Sequence, residues 1–159
     1  MTTVISASTG RGLKLAMPMI QLTAPTGALP RDARERLQHD LATTLLKWEG
    51  APDTAFFRAQ AWAYLIELPD GAQTTAEDAL PRFRVDVTVP DGALSDRRRE
   101  GLIKDVTGQV LDAAGLTEAD ALRVWVLIRE QPEGTWGAGG AVVRFSELAA
   151  LAASQRVDA

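Results

Sequence analysis

Pro25-Thr26-Gly27-Ala28-Leu29 and Pro90-Asp91-Gly92-Ala93-Leu94 are one five-residue phrase, P-x-G-A-L, written twice at a spacing of 65 residues. The match continues downstream. Leu37, Leu41 and Leu45 fall on Leu102, Val106 and Val110, an apolar stripe at helical spacing in each copy. Gly50 then falls on Gly115, a helix stop in both. After a two-residue slip the correspondence resumes at a spacing of 63. Trp62, Glu67 and Pro69-Asp70-Gly71 meet Trp125, Glu130 and Pro132-Glu133-Gly134. A tryptophan, a glutamate and a P-[DE]-G turn in the same order define an internal duplication.

Each copy reads as strand, helix, strand. In the second, Phe83, Val85, Val87 and Val89 alternate with Arg82, Arg84, Asp86 and Thr88, the period of two expected of a half-buried strand. Ile20 and Leu22 stand in phase with Val85 and Val87. Pro30 is expected in the first turn of one helix and Ser95 as the N-cap of the other. Closing strands are expected over residues 61–68 and 123–130. Strands joined by a crossover helix are parallel. The fold class is therefore α/β (α+β): a tandem β-α-β repeat forming a four-stranded sheet with two helices on one face. The closing strands are apolar on both sides, so the other face needs a cover, and another subunit is the expected one.

The chain divides into an extension (1–16), repeat one (17–71), a polar link (72–80), repeat two (81–145) and a C-terminal helix (146–159). Within that tail a glycine-rich turn at 137–140 and a short strand at 141–145 precede a helix capped by Ser146. A length of 159 residues suits a single domain, and a hydrophobic content of 46% is enough to build its core. Without cysteine there is no disulfide and no thiolate nucleophile. A net charge of -4 argues against a broad nucleic-acid surface, and Arg97-Arg98-Arg99, beside Asp96 and Glu100, reads as a solvated helix face. No apolar run is long enough for a membrane span or a secretory signal, so a cytoplasmic location is expected.

Three segments carry a family resemblance. Met17-Pro18-Met19-Ile20-Gln21-Leu22 is a Met-Pro start leading into a strand; a helix follows each P-x-G-A-L turn; and Val124 to Glu130 precedes Gly134-Thr135-Trp136-Gly137-Ala138-Gly139-Gly140. The last block is similar to the end of 4-oxalocrotonate tautomerase. Trp125 in its strand also resembles cis-3-chloroacrylic acid dehalogenase, a fused member of the same tautomerase superfamily. The resemblance spans Met17 to about Phe145. It implies a homotrimer, no metal or organic cofactor, and a small carboxylate substrate whose proton is moved by an amino-terminal proline freed of its initiator Met.

Carried over by position, Pro18 fits the catalytic proline and Trp136 the hairpin aromatic. The family's substrate-binding arginines fall on Leu29 and Leu94, and on Trp62 and Trp125. Arg84 is then the first candidate to hold a carboxylate, with Arg82 beside it on the polar side of a strand expected to run close to Pro18. Arg58, Arg123 and Arg129 flank the closing strands. Tyr64 is a candidate to donate to a carbonyl or activate water, Arg123 and Trp125 to contact substrate. His39 reads as solvated. Matched Glu67 and Glu130 read as structural, binding amides of the turns that follow them. Phe83 stands where Pro18 does, so the second copy is expected to hold no site. With residues 1–17 attached, Pro18 has an amide nitrogen and no basicity, which leaves two readings: Met17 is the true start, the expected one, or the extension is kept and the chain works without a terminal proline or does not catalyse. The functional expectation is a tautomerase or isomerase of an enol or keto acid, such as a 2-hydroxydienoate or arylenolpyruvate. The alternatives are a hydratase or dehalogenase of short unsaturated acids, and a non-catalytic, ligand-binding trimer.

Overall fold

The P-x-G-A-L turns each reverse the chain from a central strand into a long helix, and the duplication becomes a fold with an internal two-fold. A computed structural model describes residues 17–157, so the extension expected over 1–16 lies outside the described residues. The elements are β1 (Met19–Pro25), α1 (Arg31–Glu49), α2 (Ala55–Gln60), β2 (Trp62–Leu68), β3 (Phe83–Pro90), α3 (Asp96–Ala113), a 3-10 turn (Glu118–Arg123), β4 (Val124–Gln131), a hairpin of β5 (Gly137–Ala138) and β6 (Ala141–Val142), and α4 (Phe145–Val157). The sheet order is β2-β1-β3-β4. The β1–β2 and β3–β4 pairs are parallel, while β1 and β3 run antiparallel down the middle.

Local chemistry sets the boundaries. The Ser95 hydroxyl accepts from the Arg98 N–H, capping α3 as expected. Pro30 sits one residue earlier than expected, as the N-cap of α1 with φ −58° and ψ 148°, a conformation its ring favours. Gly50 and Gly115 both take left-handed φ, 69° and 68°, where a side chain would be strained. The helix α2 was not evident in the sequence because six residues show no helical period; the Thr54 hydroxyl caps it by accepting from Phe57 N–H. The tail also differs. The strand expected over 141–145 stops at Val142, and α4 begins at Phe145, whose N–H donates to the Glu133 carboxylate, so Ser146 is not its cap.

Helices α1 and α3 cover one face of the sheet. Leu41, Leu45, Leu102, Val106 and Val110 pack on Ile20, Leu22, Val85 and Val87, all at most 1% exposed. Each such side chain stabilises the fold by roughly 1.5–3 kcal/mol of burial. Between the helices the Gln109 amide donates to the Thr44 hydroxyl at 2.7 Å, joining two positions related by the repeat. The two glutamates are indeed symmetric, with a different partner from the one expected. Glu67 takes Arg34 at 2.8 Å and Glu130 takes Arg99 at 2.6 Å, so each ties its strand to its own helix rather than to the turn amides. Arg98 likewise donates to the Glu49 carbonyl at 3.5 Å, leaving Arg97 as the exposed member of the basic run.

Every second residue of the four strands points to the uncovered face. The registers place three rows across it: Trp62–Met19–Thr88–Arg129, Tyr64–Gln21–Asp86–Leu127 and Ile66–Thr23–Arg84–Trp125. The two-fold passes between Gln21 and Asp86 and exchanges the outer rows. Trp62, Tyr64 and Trp125 are 56%, 47% and 67% exposed, an apolar surface that one chain leaves open to water.

Candidate active site

Pro18 lies immediately before β1, buried, with its carbonyl accepting the Trp62 N–H at 3.1 Å. That bond continues the parallel β1–β2 ladder by one residue and fixes the proline at the sheet's end. The glycine-rich hairpin folds over the same end. Gly139 and Gly140 both have positive φ, 60° and 82°, as a two-residue hairpin turn of this twist requires. The hairpin holds Trp136, whose ring meets Phe145 edge-on at 6.4 Å. Pro18, Trp136, Trp62, Thr88, Gln60 and Gln131 border a cavity of about 580 Å³, a size suited to a small organic molecule.

Its lining is neutral. No Asp, Glu, His, Lys, Arg or Tyr borders it among the described residues, so Pro18 is the one candidate for a titrating group, and only as a free amine. Gln131 already donates to the Thr135 hydroxyl at 2.8 Å, which leaves Gln60 and Thr88 as polar side chains facing a ligand. Met17 is buried with Phe145 and Leu148 beside Trp136 and Val143. The residue that blocks the Pro18 nitrogen is therefore also a packed part of the wall.

The sequence-predicted residues divide between two ends of the sheet. Pro18 and Trp136 meet in the cavity. Arg82, Arg84, Arg123 and Trp125 gather at the opposite end, because β3 runs antiparallel to β1 and begins where β1 finishes. Arg84 faces Thr23 while Met19 faces Thr88, a separation of roughly 13 Å along the strand. The expectation that the start of the third strand runs close to Pro18 is corrected by this register. Tyr64 sits in the middle row, on the open face and apart from both ends. His39 is solvated beside Asp40, as expected, with 81% of its side chain exposed.

The cation nearest Pro18 by register is Arg129. It ends the row that contains Met19 and Thr88, exposed on the open face. Among the described residues its side chain has no ion-pair or hydrogen-bond partner. Its repeat mate is Ile66, so the charge is particular to the Pro18 end. Continuing the spacing of 63 through an antiparallel pairing of β1 and β3 would have placed it there from the sequence.

A fused pair of β-α-β units with a proline-headed strand under a glycine-rich hairpin is the tautomerase-superfamily fold. The family model described as Tautomerase enzyme matches residues 84–146, the second copy through the hairpin. Solved structures share the fold over nearly the whole described chain. A wild-type fused 4-OT, a symmetric trimer, is 20% identical, with 85% of this chain and 98% of that one covered at a TM-score of 0.65. A protein inactivated by 2-oxo-3-pentynoate is 21% identical over 78% of this chain and 94% of its own, with a TM-score of 0.67. A member of the cis-3-chloroacrylic acid dehalogenase family is 19% identical over 79% and 82%, at 0.65. No curated protein matches the chain in sequence. No helix among the described residues is long and apolar enough to cross a membrane.

Proposed function

We propose that this chain, in a form that begins at Pro18, is a cofactor-independent tautomerase of a small enol or keto carboxylate. The observation that carries the reading is Pro18 at the head of β1, opening on a cavity whose other lining residues cannot titrate. A prolyl α-amine starts near a pKa of about 7.7–8.0, and apolar walls such as Trp62 and Trp136 disfavour its charged form. It would take the enol hydroxyl proton and return a proton to the neighbouring carbon, so the product is the keto isomer and nothing is consumed. Arg129 is the group proposed to hold the carboxylate from the sheet side, with Gln60 and Thr88 orienting the ligand. Trp136 closes the apolar side. Neither Arg82, Arg84 nor Arg123 is placed for this role within the same chain.

Assembly as a homotrimer fits the exposed Trp62, Tyr64, Ile66, Trp125 and Leu127, and two of the fused 4-OT structures that share the fold are trimers. A second reading has one observation in its favour. With Met17 in place the Pro18 nitrogen is an amide and the cavity has no acid or base, so that form would bind small molecules without converting them. The test is ketonisation of an arylenolpyruvate, followed by ultraviolet absorbance, with the form starting at Pro18 compared with its Pro18→Ala variant. Loss of at least about a hundredfold in kcat/KM is expected for removing a general base. Equal rates would remove Pro18 from the mechanism, and a trimer with no rate above buffer would favour the binding reading.

A further inference from the structure

We propose that the second copy of the repeat carries a pocket of its own, selective for an aryl carboxylate and separate from the Pro18 cavity. The two-fold that exchanges the copies carries the Pro18 cavity onto a second hollow of about 610 Å³ at the other end of the sheet. The correspondence holds position by position. Met17, Pro18 and Met19 become Arg82, Phe83 and Arg84 at the spacing of 65, and Gln60 and Trp62 become Arg123 and Trp125 at the spacing of 63. Thr88 becomes Thr23, and Gln73 stands where Trp136 does.

The chemistry of the two hollows is opposite. The first has no charged residue in its lining; the second has three guanidinium groups and no carboxylate. The aspartates that hold these arginines stand outside the lining. Arg82 pairs with Asp78 at 3.1 Å, Arg84 with Asp86 at 2.9 Å and Arg123 with Asp120 at 3.2 Å. Each pair restrains its arginine and leaves other N–H groups of the same fork uncommitted. Arg84 uses Nε and Nη2 on Asp86, and Arg123 uses Nε on the Pro81 carbonyl and Nη1 on Asp120, so Nη1 of the first and Nη2 of the second have no partner among the described residues. Arginines fixed by neighbours and still presenting donors suit a carboxylate. Phe83, Leu68, Leu122 and the indole of Trp125 supply the apolar wall for a ring.

Phenylacetate is the probe, because it has no keto or enol group and cannot be turned over at Pro18. Titrated into the full chain and followed by the indole N–H resonances of a nitrogen-15 spectrum, it is expected to move Trp125 saturably and leave Trp136 in place. Arg84→Met, which installs the residue of the matching first-cavity position on an exposed strand site, is expected to weaken binding about tenfold or more. Arg123→Gln should do the same. Phenylacetamide, equal in shape and uncharged, should not compete. The proposal is overturned by movement at Trp136 alone, by undiminished binding in Arg84→Met, by equal binding of the amide, or by no saturable response up to about 10 mM. None of these outcomes depends on Pro18 being catalytic.

Discussion

Replacing Glu49 by glutamine should change how the stability of this protein depends on pH, by an amount set by one proton. Glu49 is the last residue of α1 and is fully buried, and neither carboxyl oxygen has a hydrogen-bond partner among the described residues. Burial pushes its pKa well above the ordinary glutamate value, and the nearby Arg98 guanidinium only partly opposes this. The helix C-terminus also disfavours a negative charge there. The folded chain therefore keeps a proton that the unfolded chain has released once pH exceeds the ordinary value of 4.5. In that window the folded state binds more protons, so stability falls as pH rises, and it stops falling once Glu49 ionises in the fold.

The slope is about 1.4 kcal/mol per pH unit for a single group. For a chain of this size that corresponds to roughly 3–6 °C in Tm per pH unit. Glutamine has no such proton, so Glu49→Gln should lack this component between about pH 5 and 6. Its buried amide will impose a fixed cost of its own, which shifts the curve without tilting it. The assay is thermal unfolding at half-unit pH steps for both proteins, and the quantity is the difference between their slopes. Parallel curves would refute the reasoning, because they would mean that Glu49 ionises in the fold as readily as in the unfolded chain. Glu49→Leu should reproduce the flatter curve and so separates the lost proton from the new amide.

Two further outcomes concern the same scaffold. A β-carbon added at Gly101 of α3 would collide with the ring of Trp48, which its indole N–H pins to Asp105 at 2.8 Å. Gly101→Ala should thus destabilise by about 1–3 kcal/mol despite alanine's better helix propensity, and urea unfolding with a stabilised variant would contradict the packing. At acidic pH the opposite slope belongs to Asp78 and Asp120, both held below the ordinary aspartate value. The Arg82 guanidinium is the main cause for Asp78, and the Thr117 N–H for Asp120. Each contributes stability that is present above about pH 3.9 and lost as pH falls through its folded pKa. Asp120→Asn should flatten the acid limb of the melting curve below pH 4, and an unchanged limb would show that its capping of the Thr117 turn is inconsequential.

The duplication, the sheet, both long helices and the glycine stops were legible because each rests on a local period or a residue type with a single conformational use. Other features were legible only in part. The helix α2 is too short for a period, and its signal was Thr54 alone. Glu67 and Glu130 announced a matched role, yet their partners Arg34 and Arg99 lie 33 and 31 residues away, and nothing local selects them. Pro18 and Trp136 come together as placed, because both sit at an end fixed by the first strand and the hairpin. The arginines of β3 were assigned to the wrong end because strand direction was not carried through the repeat. Glu49 gave no sign, since an acid at a helix terminus is ordinarily solvated.

The internal two-fold separates what the fold requires from what each end does. Positions that pack or brace keep their partners in both copies: Arg34–Glu67 with Arg99–Glu130, Gly50 with Gly115, Leu45 with Val110. Trp62 and Trp125 are also retained, although both are exposed and neither packs in the core of one chain. A large apolar residue kept twice at an exposed position is what a surface buried between subunits would need. Several residues bordering the two hollows part company, although Trp62 and Thr88 keep their mates Trp125 and Thr23. Proline meets phenylalanine, and two methionines and a glutamine meet three arginines; on the open face, outside both linings, Ile66 meets Arg129. None of these exchanges conserves volume and charge, so packing did not dictate them. Were the two ends equivalent, each would present the same groups to solvent; instead one offers a neutral cavity around Pro18 and the other a cationic one around Trp125. Symmetric bracing with asymmetric ends is the pattern that the second ligand site proposed above requires.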